Sequence, residues 1–106
     1  MTLHTLSSGS QGNCLLLSDG GTHILVDAGI STRRIKAGLA RLGLSMDDLD
    51  GILITHEHTD HISGLATLIK HHTVPLYASP GTARQLAYRL AGVEPLLRPR
   101  DPGTEF

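Results

Sequence analysis

The sequence has little of what several protein classes require. Its 106 residues include one cysteine, no tryptophan and only 3% aromatic residues. The single cysteine, Cys14, excludes an intrachain disulfide and fits a reducing compartment. No apolar run has the length of a membrane span, and no basic stretch followed by an apolar core marks a secretion signal. We therefore expect a cytoplasmic protein without membrane contacts.

The charge of the chain is nearly balanced. Nine basic and ten acidic residues give a net charge of −1, which does not indicate nucleic-acid binding, although a local basic patch is compatible with that total. The length allows one small domain or part of a larger one. Hydrophobic residues make up 40% of the chain. Because aromatics are scarce, the core must be built from Leu, Ile, Val and Ala.

Turn signals and hydrophobic periodicity predict the element order β-β-β-α-β-α-β-α. The strands are expected at residues 2–6, 14–17, 22–27, 51–55 and 74–78. The helices are expected to begin at Ser31 or Thr32, around Ile62, and at Ser79. Their predicted buried positions are Ile35, Leu39 and Leu42, then Ile62, Leu65, Ala66 and Ile69, then Ala83, Leu86, Ala87 and Leu90. Residues 93–106 are expected to be irregular. The alternation after the first hairpin predicts a layered α/β sheet.

A histidine-rich segment, HEHTDH at residues 56–61, directly follows the apolar strand GILIT. It is not the helical H-E-x-x-H zinc motif, because Asp60 stands where the second histidine would be. In an extended chain, His56 and His58 point the same way and could bind one metal ion. Asp60 and His61 could bind a second ion, and two such ions could hold a bridging hydroxide. The alternative is a solvated, histidine-rich turn.

The segment resembles a family signature. Together with LVDAG at residues 25–29, the pattern is similar to the metallo-β-lactamase superfamily. The stretches SGSQGNC at residues 8–14, DAGIS at 27–31 and THEHTDH at 55–61 resemble its YycJ/WalJ branch. The resemblance implies an α/β fold, the αββα sandwich of the superfamily. Residues 1–106 would form about the N-terminal half of that domain, and we expect the chain to be truncated.

The resemblance also implies roles for particular residues. His56 and His58 would bind the first metal ion, and Asp60 and His61 the second. Asp60 would also be catalytic, orienting or deprotonating the attacking water. Asp27 would hold the site through hydrogen bonds behind the ligands, and its alternative is an ordinary turn after a strand. The expected cofactors are two divalent metal ions, Zn²⁺ foremost and Mn²⁺ or Fe²⁺ as alternatives.

These roles predict a metal-dependent hydrolase that uses a metal-bound hydroxide. The branch resemblance implies a phosphodiesterase, a DNA 5′-to-3′ exonuclease in its full-length form, with DNA as the partner. One alternative is hydrolysis of a small ester, thioester or lactone by the same metal pair. Another is an inactive fragment that only binds metal, packs with a missing half or self-associates. The family's remaining ligands lie in its second half, so we expect the 106-residue chain alone to be inactive.

Three further features have two interpretations each. Cys14 is expected to be a small buried thiol and not a nucleophile, because no base partner is identifiable. His4 and His23 are expected to be structural or surface residues. A cluster of cationic residues on the first helix is either its solvated face or a phosphate contact; it comprises Arg33, Arg34 and Lys36.

Overall fold

The computed structural model describes residues 2–7, 12–55, 62, 64–90 and 92–99. Its described strands form one six-stranded sheet in the order β1-β2-β3-β4-β5-β6. The first three strands pair antiparallel and the last three continue the sheet in parallel. The strands are β1 (Thr2–Ser7), β2 (Cys14–Asp19), β3 (Thr22–Val26), β4 (Gly51–Leu53), β5 (Leu76–Ala78) and β6 (Leu97–Pro99).

Within the described residues, three α-helices connect or follow the parallel strands. They are α1 (Thr32–Arg41), α2 (Leu65–His71) and α3 (Pro80–Arg89), with short 3-10 turns at Met46–Asp48 and Glu94–Leu96. Two of the helices begin with a serine N-cap. The serine side-chain oxygen accepts a hydrogen bond from a backbone amide that has no partner within the helix. The Ser31 hydroxyl accepts from the Arg34 amide at 3.2 Å, and the Ser79 hydroxyl accepts from the Thr82 amide at 3.3 Å. Both caps confirm the predicted helix starts.

The register of the sheet separates two faces. The β2–β3 hairpin turns through Gly20 and Gly21, whose φ values of 57° and 92° suit a tight two-residue turn. Paired residues lie on the same face, so the register fixes which side chains share a side. One face is fully buried under the helices and includes Leu16, Leu25, Ile52 and Leu76. The other is only half-buried and includes Leu15, Leu17, Ile24, Val26 and Leu53.

The structure corrects three details of the prediction. Residues 97–99 form a sixth strand within the stretch expected to be irregular. Ala66 is exposed, whereas Leu68, which was not predicted, is fully buried. Both choices satisfy helical spacing, and the larger leucine removes more apolar surface from water. Leu42 is 37% exposed because α1 ends one residue before it. Within the described ranges, no helix is long and apolar enough to cross a membrane.

Candidate metal centre

The carboxyl ends of the parallel strands meet at one edge of the sheet, the usual position of sites in open α/β folds. Asp27 follows β3 directly, and Thr55 lies two residues beyond the end of β4. The Asp27 amide donates to the Leu53 carbonyl at 2.7 Å, and the Ile54 amide donates to the Tyr77 carbonyl at 2.8 Å. Backbone pairing therefore continues past the strand ends and brings Asp27 beside Thr55.

Asp27 is a buried carboxylate that binds the start of the histidine-rich segment. Its side chain is only 4% exposed. One oxygen, Oδ1, accepts from the Thr55 amide at 2.7 Å, and Oδ2 accepts from the Thr55 hydroxyl at 2.7 Å. The Asp27 backbone has a φ of 64°, in the left-handed region that few residues other than glycine adopt. These contacts hold the carboxylate against Thr55, the residue directly before His56.

The loop after Asp27 is packed between two other segments. The Gly29 amide donates to the Asn13 carbonyl at 2.9 Å, and the Gly64 amide donates to the Ala28 carbonyl at 2.8 Å. A Cβ added at Gly64 would lie 1.7 Å from the Ile30 carbonyl oxygen. One added at Gly12 would lie 2.1 Å from the Gly29 carbonyl oxygen. Only glycine allows the backbones to approach this closely.

The four predicted metal ligands, His56, His58, Asp60 and His61, lie outside the described residues. The residues that flank them are described. On one side Thr55 is hydrogen-bonded to Asp27, and on the other Ile62 is buried. Two residues later, the Gly64 amide donates a hydrogen bond to the Ala28 carbonyl. Both flanks of segment 56–61 are therefore attached to the turn that begins with Asp27.

Cys14 lies close to the same turn, but its thiol is not a nucleophile at neutral pH. It is a free, fully buried cysteine. The pKa of its thiol is raised from 9.0 to about 12, mainly by burial and also by the negative charge of Asp27, while the positive charge of Arg34 lowers it. The thiol is therefore protonated at neutral pH, and thiolate is the nucleophilic form. This agrees with the expected structural role.

Sequence reasoning missed two residues that position the site. Thr55 was predicted as the last residue of a strand and the first of the branch-like stretch at residues 55–61, without a positioning role, and Gly64 was not singled out. Their positions were the signals that could have identified them. Thr55 directly precedes the histidine-rich segment, and Gly64 directly precedes α2. Among the other histidines, His23 lies at the opposite end of β3, where its Nδ1 is 2.8 Å from the Ser18 hydroxyl oxygen. His4 lies in β1.

Comparison with known proteins defines the class. A family model described as the metallo-beta-lactamase superfamily matches residues 8–105. The chain belongs to the metallo-β-lactamase superfamily, a family of hydrolases, which confirms the expected fold class. Among solved structures, Rm3 metallo-beta-lactamase superposes with a TM-score of 0.76 at 28% identity. That match covers 98% of this chain and 44% of the other.

Two curated relatives narrow the resemblance to the YycJ/WalJ branch. Exodeoxyribonuclease YycJ of Bacillus anthracis is 38% identical over 95 residues, covering 88% of this chain and 36% of the relative. Exodeoxyribonuclease WalJ of Streptococcus pneumoniae is 46% identical over 77 residues, covering 73% of this chain and 29% of the relative. The chain thus spans about a third of the length of these relatives.

Proposed function

We propose that this chain carries part of the metal site of a phosphodiesterase that acts on DNA ends in the 5′-to-3′ direction. The observation that carries the proposal is the Asp27 carboxylate, which binds both the amide and the hydroxyl of Thr55 directly before His56. Such partners behind metal ligands orient them. The DNA substrate is proposed from the similarity to relatives named exodeoxyribonucleases.

The donor set of segment 56–61 fits two divalent ions. Three imidazoles and one carboxylate suit Zn²⁺, and Mn²⁺ or Fe²⁺ are alternatives. We assign His56 and His58 to one ion, and Asp60 and His61 to the other. When bound, the ions would stabilise charge on phosphoryl oxygens and lower the pKa of a water.

The chain's own residues then have two tasks. Asp60 orients the attacking water and accepts its proton. Asp27 holds the backbone at Thr55, so that the ligands start from a fixed position. Asp27 is buried and already engaged by Thr55, so we assign it positioning and not proton transfer.

We propose that the 106-residue chain by itself has little or no activity. Segment 56–61 offers four donors, whereas a zinc site takes about four ligands for each ion. An ion with an incomplete set of protein ligands is held loosely and exchanges with solvent. DNA hydrolysis is therefore assigned to the full-length form. The competing interpretations are hydrolysis of a small ester, thioester or lactone by the same groups, and a chain that only binds metal.

Metal binding by the purified chain tests the ligand assignment. We expect calorimetric titration with Zn²⁺ to show binding that weakens by at least about tenfold in His58→Ala and in His61→Ala, since each loses one donor. His71→Ala is the matched control, because His71 is an exposed histidine at the end of α2. Equal affinities in all four proteins would refute the assignment.

Hydrolysis assays then separate the two enzyme interpretations. At high protein concentration with Mn²⁺ or Zn²⁺, we expect at most slow release of nucleotides from 5′-labelled DNA, abolished by chelator and by Asp60→Asn. Hydrolysis of p-nitrophenyl esters or lactones without DNA cleavage would favour the alternative substrate class. Rapid DNA turnover by the chain alone would contradict its proposed low activity.

A further inference from the structure

A groove between β1 and α1 carries a charge pattern that the proposed metal site does not use. It has a volume of about 480 Å³. Its walls include Leu3, His4 and Leu6 from β1, and Arg34 and Arg41 from α1. We propose that this groove binds the phosphate backbone of a single DNA strand next to the metal site. The inference rests on the proposed function, because the DNA substrate comes from it.

Among the described residues that line the groove, the charged ones are all basic. They are two arginines, with no aspartate or glutamate. Both arginine residues are exposed. Within the ranges that the structure describes, no salt bridge joins either guanidinium to a carboxylate. Uncompensated arginines in a concave surface attract phosphates, since the low-dielectric walls focus their field.

Helix geometry places the two arginines along the groove. Residues of α1 that line it are spaced i, i+3, i+4 and i+7, so they share one face of the helix; they are Arg34, Ala37, Gly38 and Arg41. Seven residues correspond to a rise of ~10 Å, enough for two separate phosphate contacts. The intervening residues are small, and a Cβ at Gly38 would lie 2.9 Å from the Leu6 side chain. Gly38 is buried and lets α1 approach β1 closely, so Ala37 and the two arginines form the exposed part of this wall.

The groove reaches the turn that begins with Asp27. Ile30 lines the groove and belongs to that turn. Its carbonyl oxygen is the atom that any side chain at Gly64 would meet. Arg34 lies in the first turn of α1, four residues after Ile30, so of the two arginines it is the one nearer to this turn along the chain. A strand bound along α1 would thus approach the turn at Asp27, which binds Thr55, the residue before segment 56–61.

The walls favour a single strand over other anions. Apolar side chains beside the arginines offer contacts to sugars and to the faces of unpaired bases, as in grooves that follow single-stranded nucleic acid. They are Leu3, Leu6 and Leu42. Leu3 is 59% exposed, so this surface is available. A small inorganic anion would use only the arginines.

Binding of a fluorescein-labelled oligothymidylate, measured by anisotropy in EDTA, tests the groove without the metal site. We expect Arg34→Ala/Arg41→Ala to weaken binding roughly tenfold or more and to reduce the slope of log K against log salt concentration by about 1.4. Arg33→Ala/Lys36→Ala removes the same charge from exposed positions of α1 outside the groove. It should stay within about twofold of the parent chain.

A second variant tests the shape of the groove. Ala37→Phe leaves the charge unchanged and fills the space at an exposed position between the arginines; we expect it to weaken oligothymidylate binding and to leave competition by inorganic phosphate unaltered. Equal losses in the two double variants, or no binding by the parent chain in EDTA, would overturn the groove proposal. Binding as expected, together with no DNA hydrolysis by the full-length form, would refute only the proposed nuclease function.

Discussion

Asp27 combines three requirements at one position. It adopts a left-handed backbone, it is buried, and its two carboxylate oxygens bind one neighbouring residue. Aspartate tolerates a positive φ better than most residues, because its short polar side chain can hydrogen-bond locally. Burying a carboxylate is costly unless such bonds compensate it. The pair with Thr55 therefore stabilises both the turn and the start of the histidine-rich segment.

Removing one of these bonds tests that account. Thr55→Val keeps the side-chain shape and deletes the hydroxyl that donates to Asp27 Oδ2. We expect the free energy of unfolding to fall by about 1.5 kcal/mol, since bonds to charged groups are stronger than neutral ones. Urea denaturation followed by circular dichroism measures it. Thr22→Val, at an exposed strand position, should change stability by less than about 0.5 kcal/mol. Equal effects would contradict the role of the pair.

Cys14 provides a prediction about pH. With the pKa of its thiol at about 12 instead of 9.0, the native thiolate fraction near pH 8 is about a thousandfold smaller than in the unfolded chain. We expect alkylation by iodoacetamide to be slower in the native state by a factor of that order. Tyr88→Cys in a Cys14→Ala background should react at an ordinary rate, because position 88 is 90% exposed.

The same shift gives a direction for stability. The raised pKa means that the folded chain keeps its proton while the unfolded chain loses it above pH 9.0. The contribution of Cys14 to stability is therefore complete below pH 9.0 and is lost as the pH rises toward 12. Cys14→Ala should lack this alkaline loss in urea titrations. An unchanged pH profile would argue against burial of an uncharged thiol.

Among secondary-structure elements, α2 and the turn after β3 are positioned more by contacts between these segments than by helix propensity. Gly64 has ordinary helical dihedrals, with φ −89° and ψ −6°. Its lack of a side chain is required by space alone, because the Ile30 carbonyl occupies the position of a Cβ. The Thr32 hydroxyl also donates to the Gly64 carbonyl at 3.4 Å. The start of α2 is therefore attached to the turn and to the start of α1.

A pair of glycine substitutions separates close packing from helix propensity. Gly64→Ala should destabilise the chain by about 2 kcal/mol or more, since backbone atoms must move to admit the methyl group. Gly81→Ala, in the first turn of α3, meets nothing closer than the Arg84 guanidinium at 3.9 Å. It should stabilise by about 0.5 kcal/mol through helix propensity. Urea midpoints measure both, and a stabilising Gly64→Ala would refute the packing argument.

Local patterns predicted most elements but failed where pairing is distant. Neighbouring residue types are enough to predict the caps at Ser31 and Ser79 and the turn at Gly20. Strand β6 has three residues, ends in Pro99 and exists through its pairing with β5. A strand that short carries no alternation of its own. Its partner, some twenty residues earlier in the chain, is not readable from the segment.

The molecule as a whole has one covered sheet face and one open face. The open side carries Leu17 opposite Ile24 and Val26 opposite Leu53, all half-buried. The Tyr77 ring packs over Gly51 there, since a Cβ at Gly51 would lie 2.6 Å from it. No helix within the described residues covers this face. Contiguous apolar surfaces of this kind favour association.

We therefore predict that the 106-residue chain self-associates in solution. Light scattering coupled to size exclusion should give a mass above that of one chain, 11.3 kDa. Leu17→Lys/Ile24→Lys should shift the chain to monomer, because two charges on this face must be desolvated on association. Tyr88→Lys, at an exposed position on α3, should leave the mass unchanged. A monomeric parent chain would contradict the prediction.

From residue type and spacing, the sequence predicted the superfamily, the order of the elements before β6 and the list of metal-binding candidates. It also pointed to Asp27, through its place after a strand. The folded structure was needed to show which residue Asp27 contacts, which glycines are required, and that Arg34 and Arg41 line a groove beside β1. These depend on contacts between segments distant in the chain, such as Asp27 with Thr55 and Gly64 with Ile30. Local patterns carry no information about the distance between such segments, since the packing of the sheet and helices sets it.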